Sequence, residues 1–289
     1  MTPASPNAGG ISVAAVLPSG RNALPSRNSS ASNLPGPQLF ATARPDLVIH
    51  LAGISYVPEA EGAPIAAYEV NVVGAVRLLW AAAASRKGGG ADPLILAVGS
   101  GTQYGDHPAA AMPLPESAEQ RPLSAYAATK AAQEVAVLHL ARMTGLRVIC
   151  TRSFSHSGVG HDKVFLLPSL VARVRELSGK PGVIQIGNDV IRDYLHVSDA
   201  VSAYLVLADR GVPGEAYNVC SGIGVTVREL ATAALAKAGV SAQVVSDPGL
   251  RRRADMPILV GSPEKIIATT GWRPTKSYGD ILDDLLNAP

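Results

Sequence analysis

Residues 124–134 read SAYAATKAAQE, and they place a tyrosine, Tyr126, four positions before a lysine, Lys130, in a run otherwise built from alanine. A spacing of four on a helix puts both side chains on one face, one turn apart. An ammonium near a phenol favours the phenolate and lowers the phenol's pKa. A tyrosine tuned in that way can pass a proton near neutral pH. The competing reading is an ordinary exposed pair on an alanine-rich helix, and the rest of the chain has to decide between them. Two further segments supply chemistry of the same kind. AVGSGTQYG (97–105) leaves Ser100 at the end of an apolar run, where a hydroxyl can donate to a substrate oxygen. HLAG (50–53) ends another apolar run in Leu51, Ala52 and Gly53, and a side-chain-poor end lets a flat cofactor approach the backbone. Taken alone, a serine at a strand end is a turn residue; in this order and spacing the three segments form a pattern.

The elements that must hold these residues are legible around them. DLVIHLAG (46–53), PLILAVGS (93–100) and RVICTRS (147–153) are short apolar runs bounded by turn residues, as in parallel strands buried on both faces. Between them lie the helical segments 64–85 and the Tyr126 segment, the latter with Ser124 as N-cap and Gly145 just past its end. Strands alternating with such helices predict βαβ units, right-handed crossovers and a ligand crevice at the carboxyl ends of the strands. The expected fold is α/β, a Rossmann-like doubly wound parallel sheet with a smaller C-terminal lobe. Residues 1–40, rich in Pro, Ser, Asn and Gly, are expected to be irregular. Residues 41–153 form the cofactor-binding body, with 183–210 returning to it, and 154–289 mainly the substrate lobe.

Composition narrows the function. The chain has 289 residues, 47% hydrophobic and 17% charged, with a net charge of +2. That charge is too small to suggest nucleic acid or an anionic membrane as the main partner. Two cysteines, Cys150 and Cys220, make no disulfide framework, and a reducing cytoplasm is the expected location. No apolar run comes near the roughly 18 residues of a spanning helix. ISVAAVL (11–17) reads as a buried strand rather than a signal peptide. No spacing of His, Cys and Asp suggests a metal site.

From about Arg44 to the C-terminus the chain resembles the extended short-chain dehydrogenase/reductases, the NAD-dependent epimerase/dehydratase family. The matching pieces are RPDLVIHLAG, Asn71 of YEVNVVGA, SGTQYG, YAATK, RDYLHVSDA, YNVCSG and TGWRP. RSFSHSGVGH (152–161), IGNDVIRDYLHVSD and DPGLRRRADMPILVGSPEKIIATTGW look most like the subgroup that reduces GDP-4-keto-6-deoxy-D-mannose to GDP-D-rhamnose. The resemblance implies a catalytic triad of Ser100, Tyr126 and Lys130, with NADP or NAD as cofactor. It places the cofactor against Leu51, Ala52, Gly53, Asn71, Tyr126 and Lys130. The nucleotide-sugar substrate would meet Ser155, His156, Arg192, Arg252 and Asn218. Read from the residues alone, Asp199 and Asn218 are a cap and a turn, His156 packs beneath its loop, and the run of three arginines 251–253 is a solvated surface. Relatives suggest a homodimer through helices 64–85 and 124–144.

Two departures qualify that expectation. The family's opening strand and G-x-x-G-x-x-G loop, which carries the cofactor pyrophosphate, cannot be found in residues 1–40. ISVAAVLPSGR then reads as the second strand of the fold, with Arg21 near a ribose 2′-phosphate and the first βα unit absent or degenerate. A shortened reading frame would explain this, as would a variant that binds NAD(P) weakly and serves as an inactive nucleotide-sugar-binding or scaffold protein. The second departure lies at Thr102 and Gln103, where dehydratases of the family carry a carboxylic acid. That favours reduction or 4-epimerisation over dehydration. Ser155 stands where the family usually has asparagine.

Overall fold

A computed structural model describes residues 13–16, 37–177, 180–250 and 256–288. Its first half comprises β1 (Val13–Val16), α1 (Pro37–Ala43), β2 (Leu47–His50), α2 (Val57–Gly62), α3 (Pro64–Tyr68), α4 (Gly74–Lys87), β3 (Leu94–Ser100), α5 (Ala125–Thr144) and β4 (Arg147–Ser153). Then follow β5 (Ser155–Ser157), α6 (Leu166–Leu177), β6 (Gly182–Ile186), β7 (Ile191–His196), α7 (Val197–Arg210) and β8 (Ala216–Val219). The chain closes with β9 (Gly224–Thr226), α8 (Val227–Lys237), β10 (Ala242–Ser246), β11 (Ile258–Leu259), α9 (Glu264–Thr270) and α10 (Tyr278–Asn287).

Strands β1, β2, β3, β4 and β8 form one five-stranded parallel sheet in that order. Alternation along the strands divides the core in two. Val48, Ile95, Ala97, Val148 and Cys150 face α1, α4 and α5, while Leu47, Leu94, Leu96 and Ile149 face α7 and α9. Burial on both faces accounts for the unbroken apolar runs in the sequence. Helix α5 starts where the Ser124 side chain accepts the Ala127 N–H and stops at Gly145, which adopts φ 71°.

Several expectations change. Phe40 is 2% exposed and packs from α1 into the α4 layer, so the irregular N-terminal segment does not extend through residue 40. Val13–Val16 pairs directly with β2. In the doubly wound order 3-2-1-4-5-6 that seat belongs to the first strand, not the second, and among the described residues no strand lies beyond it. Of the stretch 183–210, α7 packs on the main sheet, whereas β6 pairs with β10 and β7 pairs with β5, β9 and β11. β8, from the part assigned to the lobe, joins the main sheet beside β4. Within the helical run Pro64–Lys87 a window of 18 residues has a mean hydropathy of 1.3, long and apolar enough by length and composition to cross a membrane, although Glu69, Asn71 and Arg77 interrupt the run. Here one side of it carries Leu78, Leu79 and Ala82 into the core between α1 and α5. The lobe has its own core, in which α6, α8 and α10 pack around β6.

Candidate active site

β3 delivers Ser100 to the carboxyl end of the sheet, and the chain then turns sharply through Gly101–Tyr104. Ser100 caps that turn. Its hydroxyl accepts the Thr102 N–H at 3.2 Å and lies 2.8 Å from the Thr102 hydroxyl, and its own N–H donates to Gln103 Oε1 at 2.7 Å. Gly99 permits this fold-back, because a Cβ there would meet Gln103 Oε1 at 2.5 Å and the Thr151 carbonyl oxygen at 2.4 Å.

Tyr126 lies in the first turn of α5, and the Ser100 side chain is close enough to its phenol to act on the phenol's pKa. Lys130, one turn on and 5% exposed, donates to the Val98 carbonyl at 2.8 Å and to Gln133 Oε1 at 3.0 Å. Burial pulls its ammonium pKa down to about 8. The phenol behaves differently from the sequence expectation. Burial raises the Tyr126 pKa, and the Ser100 side chain only partly opposes that. The ammonium directs its bonds to Val98 and Gln133, so acidification by Lys130 is not what governs the phenol here.

The segment after β2 is pinned by Asn71, at the π-helical step Glu69–Val73 between α3 and α4. Asn71 Oδ1 accepts the Ile54 N–H at 2.7 Å, while Nδ2 donates to the Ile54 carbonyl at 3.1 Å and to Thr129 Oγ1 at 2.8 Å. The Thr129 hydroxyl in turn donates to the Tyr126 carbonyl at 2.7 Å. Asn71 is fully buried and lies behind the cleft wall, which corrects its assignment as a cofactor contact: it ties the loop to the helix that carries Tyr126. Gly53 is needed beside it, since a Cβ would come within 2.9 Å of Asn71 Oδ1 and 3.6 Å of Lys130 Nζ.

These groups open onto a cleft of about 890 Å³ between the carboxyl end of the main sheet and the lobe. Leu51, Gly53, Ser100, Tyr126, Lys130, Ser155, His156 and Arg192 all line it. Ala52 does not. His156 Nδ1 lies 3.0 Å from the Phe154 carbonyl, and desolvation lowers its imidazole pKa despite that bond. Asn218 is misassigned as a substrate contact. It is fully buried in β8, where Oδ1 accepts from Tyr104 Oη at 2.7 Å and Nδ2 donates to the Leu114 and Ser262 carbonyls at 2.8 and 3.2 Å. Asp199 is more than a cap: its carboxylate, 3% exposed, accepts from the Thr275 N–H and hydroxyl and from the Lys276 N–H. Arg21 and Arg252 lie outside the described residues.

The cleft also contains residues that sequence reasoning missed. Arg173 of α6 lines it, donating to the Gln185 carbonyl at 2.6 Å. Its only sequence signal was membership of the amphipathic segment LLPSLVARVREL. Tyr56 and Phe165 meet edge to face at 6.0 Å, and His161 stacks on Phe165 at 4.4 Å, forming an aromatic wall. Among the described residues no carboxylate lines the cleft.

The chain is similar to known nucleotide-sugar enzymes. The profile of the family described as GDP-mannose 4,6 dehydratase matches residues 36–285. The GDP-6-deoxy-D-mannose reductase of Pseudomonas aeruginosa is 37% identical over 248 residues, covering 84% of this chain and 80% of that one. The structure of RMD from Pseudomonas aeruginosa complexed with NADPH superimposes with a TM-score of 0.77 at 34% identity, covering 86% of this chain and 84% of that one. UDP-glucose 4-epimerase from Thermotoga maritima, with UDP-glucose, superimposes with a TM-score of 0.77 at 25% identity, over 86% of this chain and 79% of that one.

Proposed function

The chain belongs to the GDP-mannose 4,6-dehydratase family of extended short-chain dehydrogenase/reductases, and from that premise we propose that it reduces a nucleotide-linked 4-keto sugar with NADPH or NADH. The substrate assigned is GDP-4-keto-6-deoxy-D-mannose and the product GDP-D-rhamnose. The observation that carries this reading is the convergence of Ser100, Tyr126 and Lys130 on a cleft without a carboxylate among its described lining residues. A dehydratase needs an acid there to expel water; Thr102 holds that place, hydrogen-bonded to Ser100.

The residues present fit the nicotinamide end of such a cofactor. Gly53 leaves open a position that a Cβ would occupy 3.6 Å from Lys130 Nζ, and Leu51 and Val98 supply apolar wall. The cofactor, when bound, supplies the hydride. Tyr126 supplies the proton. Its raised pKa keeps the phenol protonated at neutral pH, as an acid must be, until charge develops on the carbonyl oxygen. Ser100 donates to that oxygen and steadies the developing charge. Lys130, mostly charged below about pH 8, offsets the charge left on the phenol. Arg173 and Arg192, at the lobe end, are assigned to the diphosphate, since a guanidinium matches phosphate oxygens; Arg252 is added from sequence alone.

We assign a homodimer to the outer faces of the Pro64–Lys87 run and α5, where Ile65, Val73, Trp80, Val135 and Met143 stand exposed. Light scattering on Trp80→Glu/Val135→Glu should give a monomer where the unaltered chain gives a dimer; equal masses defeat the assignment. The activity is tested by adding GDP-4-keto-6-deoxy-D-mannose and NADPH to purified protein. Stoichiometric NADPH oxidation and GDP-D-rhamnose are expected. Turnover of a 4-hydroxy nucleotide sugar on retained NAD, without added reductant, would indicate an epimerase instead. Binding of GDP-sugar with neither activity would indicate an inactive binding protein.

A further inference from the structure

Behind Ser100 lies a buried carboxylate for which the proposed reaction has so far no use. Glu134 of α5 is 7% exposed and accepts four hydrogen bonds. Gln103 Nε2 and Arg152 Nε reach Oε2 at 3.1 and 3.0 Å, while Gln120 Nε2 and Arg152 Nη2 reach Oε1 at 2.9 and 2.7 Å. Burial alone would raise this carboxyl's pKa. Bonding to Arg152, helped by Gln103 and Gln120, brings it below the ordinary value instead. Glu134 is therefore ionised, and an ionised carboxylate only accepts.

That has a consequence for Gln103. A side-chain amide can present either end, and only its surroundings decide which. Facing Glu134, Gln103 must present Nε2, and its Oε1 is left to take the Ser100 N–H at 2.7 Å. Turned over, the amide would set its Nε2–H against that N–H and its oxygen against the carboxylate, two repulsive contacts in a buried site. Glu134 also follows Tyr126 and Lys130 at spacings of four, so it projects from the same stripe of α5. Arg152 anchors the far side from β4, the strand paired with β3.

We infer that Glu134 is a positioning residue for proton transfer: through the Gln103 amide it holds Ser100 in register with the Tyr126 phenol. The kinetic part of the test rests on the reductase reading; the spectroscopic part does not. Three variants of the full chain decide it, each compared with the unaltered chain for kcat, KM, NADPH affinity by fluorescence and melting temperature. Gln103→Met removes the link but leaves the Glu134–Arg152 pair. It should lower kcat about ten- to a hundredfold, the cost of a misplacement near 1 Å, with KM and NADPH affinity within about twofold. Glu134→Gln should lose as much or more. The exchange Gln103→Glu with Glu134→Gln keeps the net charge and again offers the Ser100 N–H an acceptor. It should recover most of the kcat lost in Glu134→Gln, which a purely structural ion pair would not. The Tyr126 titration, read as the ultraviolet difference from the matching Tyr126→Phe protein, should move to higher pH in Gln103→Met, because the Ser100 side chain that lowers it is loosened. Unchanged kcat in Gln103→Met, or an exchange variant no faster than Glu134→Gln, overturns the inference. If the unaltered chain reduces nothing, the reductase reading fails and the titration alone decides: an unmoved phenol titration in Gln103→Met overturns the inference.

Discussion

At the Ser100 end of the cleft the working side chains leave two long elements, the seven-residue β3 and the 20-residue α5, and the polar groups behind them are buried and bonded to one another. At the Arg192 end they leave the three-residue β5, the six-residue β7 and α6, three separate elements of the lobe side, and the guanidiniums stand half-buried at the wall. The first arrangement suits chemistry, where a proton donor must stand within a fraction of an ångström of its target. The second suits holding an anion, where a long side chain can find phosphate oxygens over a wider range. The same contrast separates the buried Glu134–Arg152 pair at 2.7 Å from the lobe's half-exposed Lys237–Asp283 pair at 2.6 Å. Their lengths are nearly equal, but only the first pair has lost its water, so only there does removing one partner strand a charge.

The sharpest way to break this comparison is kinetic. Tyr126→Phe should lower kcat by about a hundred- to ten-thousand-fold with NADPH affinity kept, whereas Arg192→Leu should raise KM about tenfold or more and leave kcat within about threefold. Steady-state kinetics on both variants would refute the division of labour if Arg192→Leu chiefly lowered kcat. Next comes stability. Glu134→Ala should cost about 3–5 kcal/mol in urea denaturation, and Lys237→Ala less than about 1 kcal/mol. Comparable losses would mean that burial does not set the difference. The smallest effect concerns His50, 3% exposed, whose ring nitrogens have no partner among the described residues. Burial, with a contribution from Lys130, lowers its pKa to about 4 from 6.5. The unfolded chain binds a proton between those values that the folded chain does not, so stability falls as pH drops through 6.5 towards 4. Between pH 7 and 5 the loss from this residue is about 2 kcal/mol, and His50→Leu should remove that part of the slope. An unaltered slope in the variant would place the acid sensitivity elsewhere.

Much of the site was legible along the chain because its residues are local in sequence. Tyr126 and Lys130 are one helical turn apart, Ser100 ends an unbroken apolar run, and Leu51 to Gly53 end another. The buried partners were not legible. Asn71 and Asn218 carry the same side chain, and nothing along the chain says that one bonds the loop after β2 and the other the Leu114 and Ser262 carbonyls. Glu134 and Arg152 are 18 positions apart and look like ordinary charges of a helix and a strand end. Arg173 gave no signal at all beyond its helix.

What the sequence determined by itself was the alternation of strand and helix, the order of the reacting groups and the lack of an acid at Thr102, since periodicity and side-chain chemistry are local properties. What only the tertiary structure decided was the seat of Val13–Val16 beside β2, the partners of each buried polar group, and the sign of the shift at Tyr126. Strand neighbours are chosen by contacts between distant segments. Whether a phenol is made more or less acidic depends on the balance of lost water against nearby donors, and that balance exists only once the chain has closed around it.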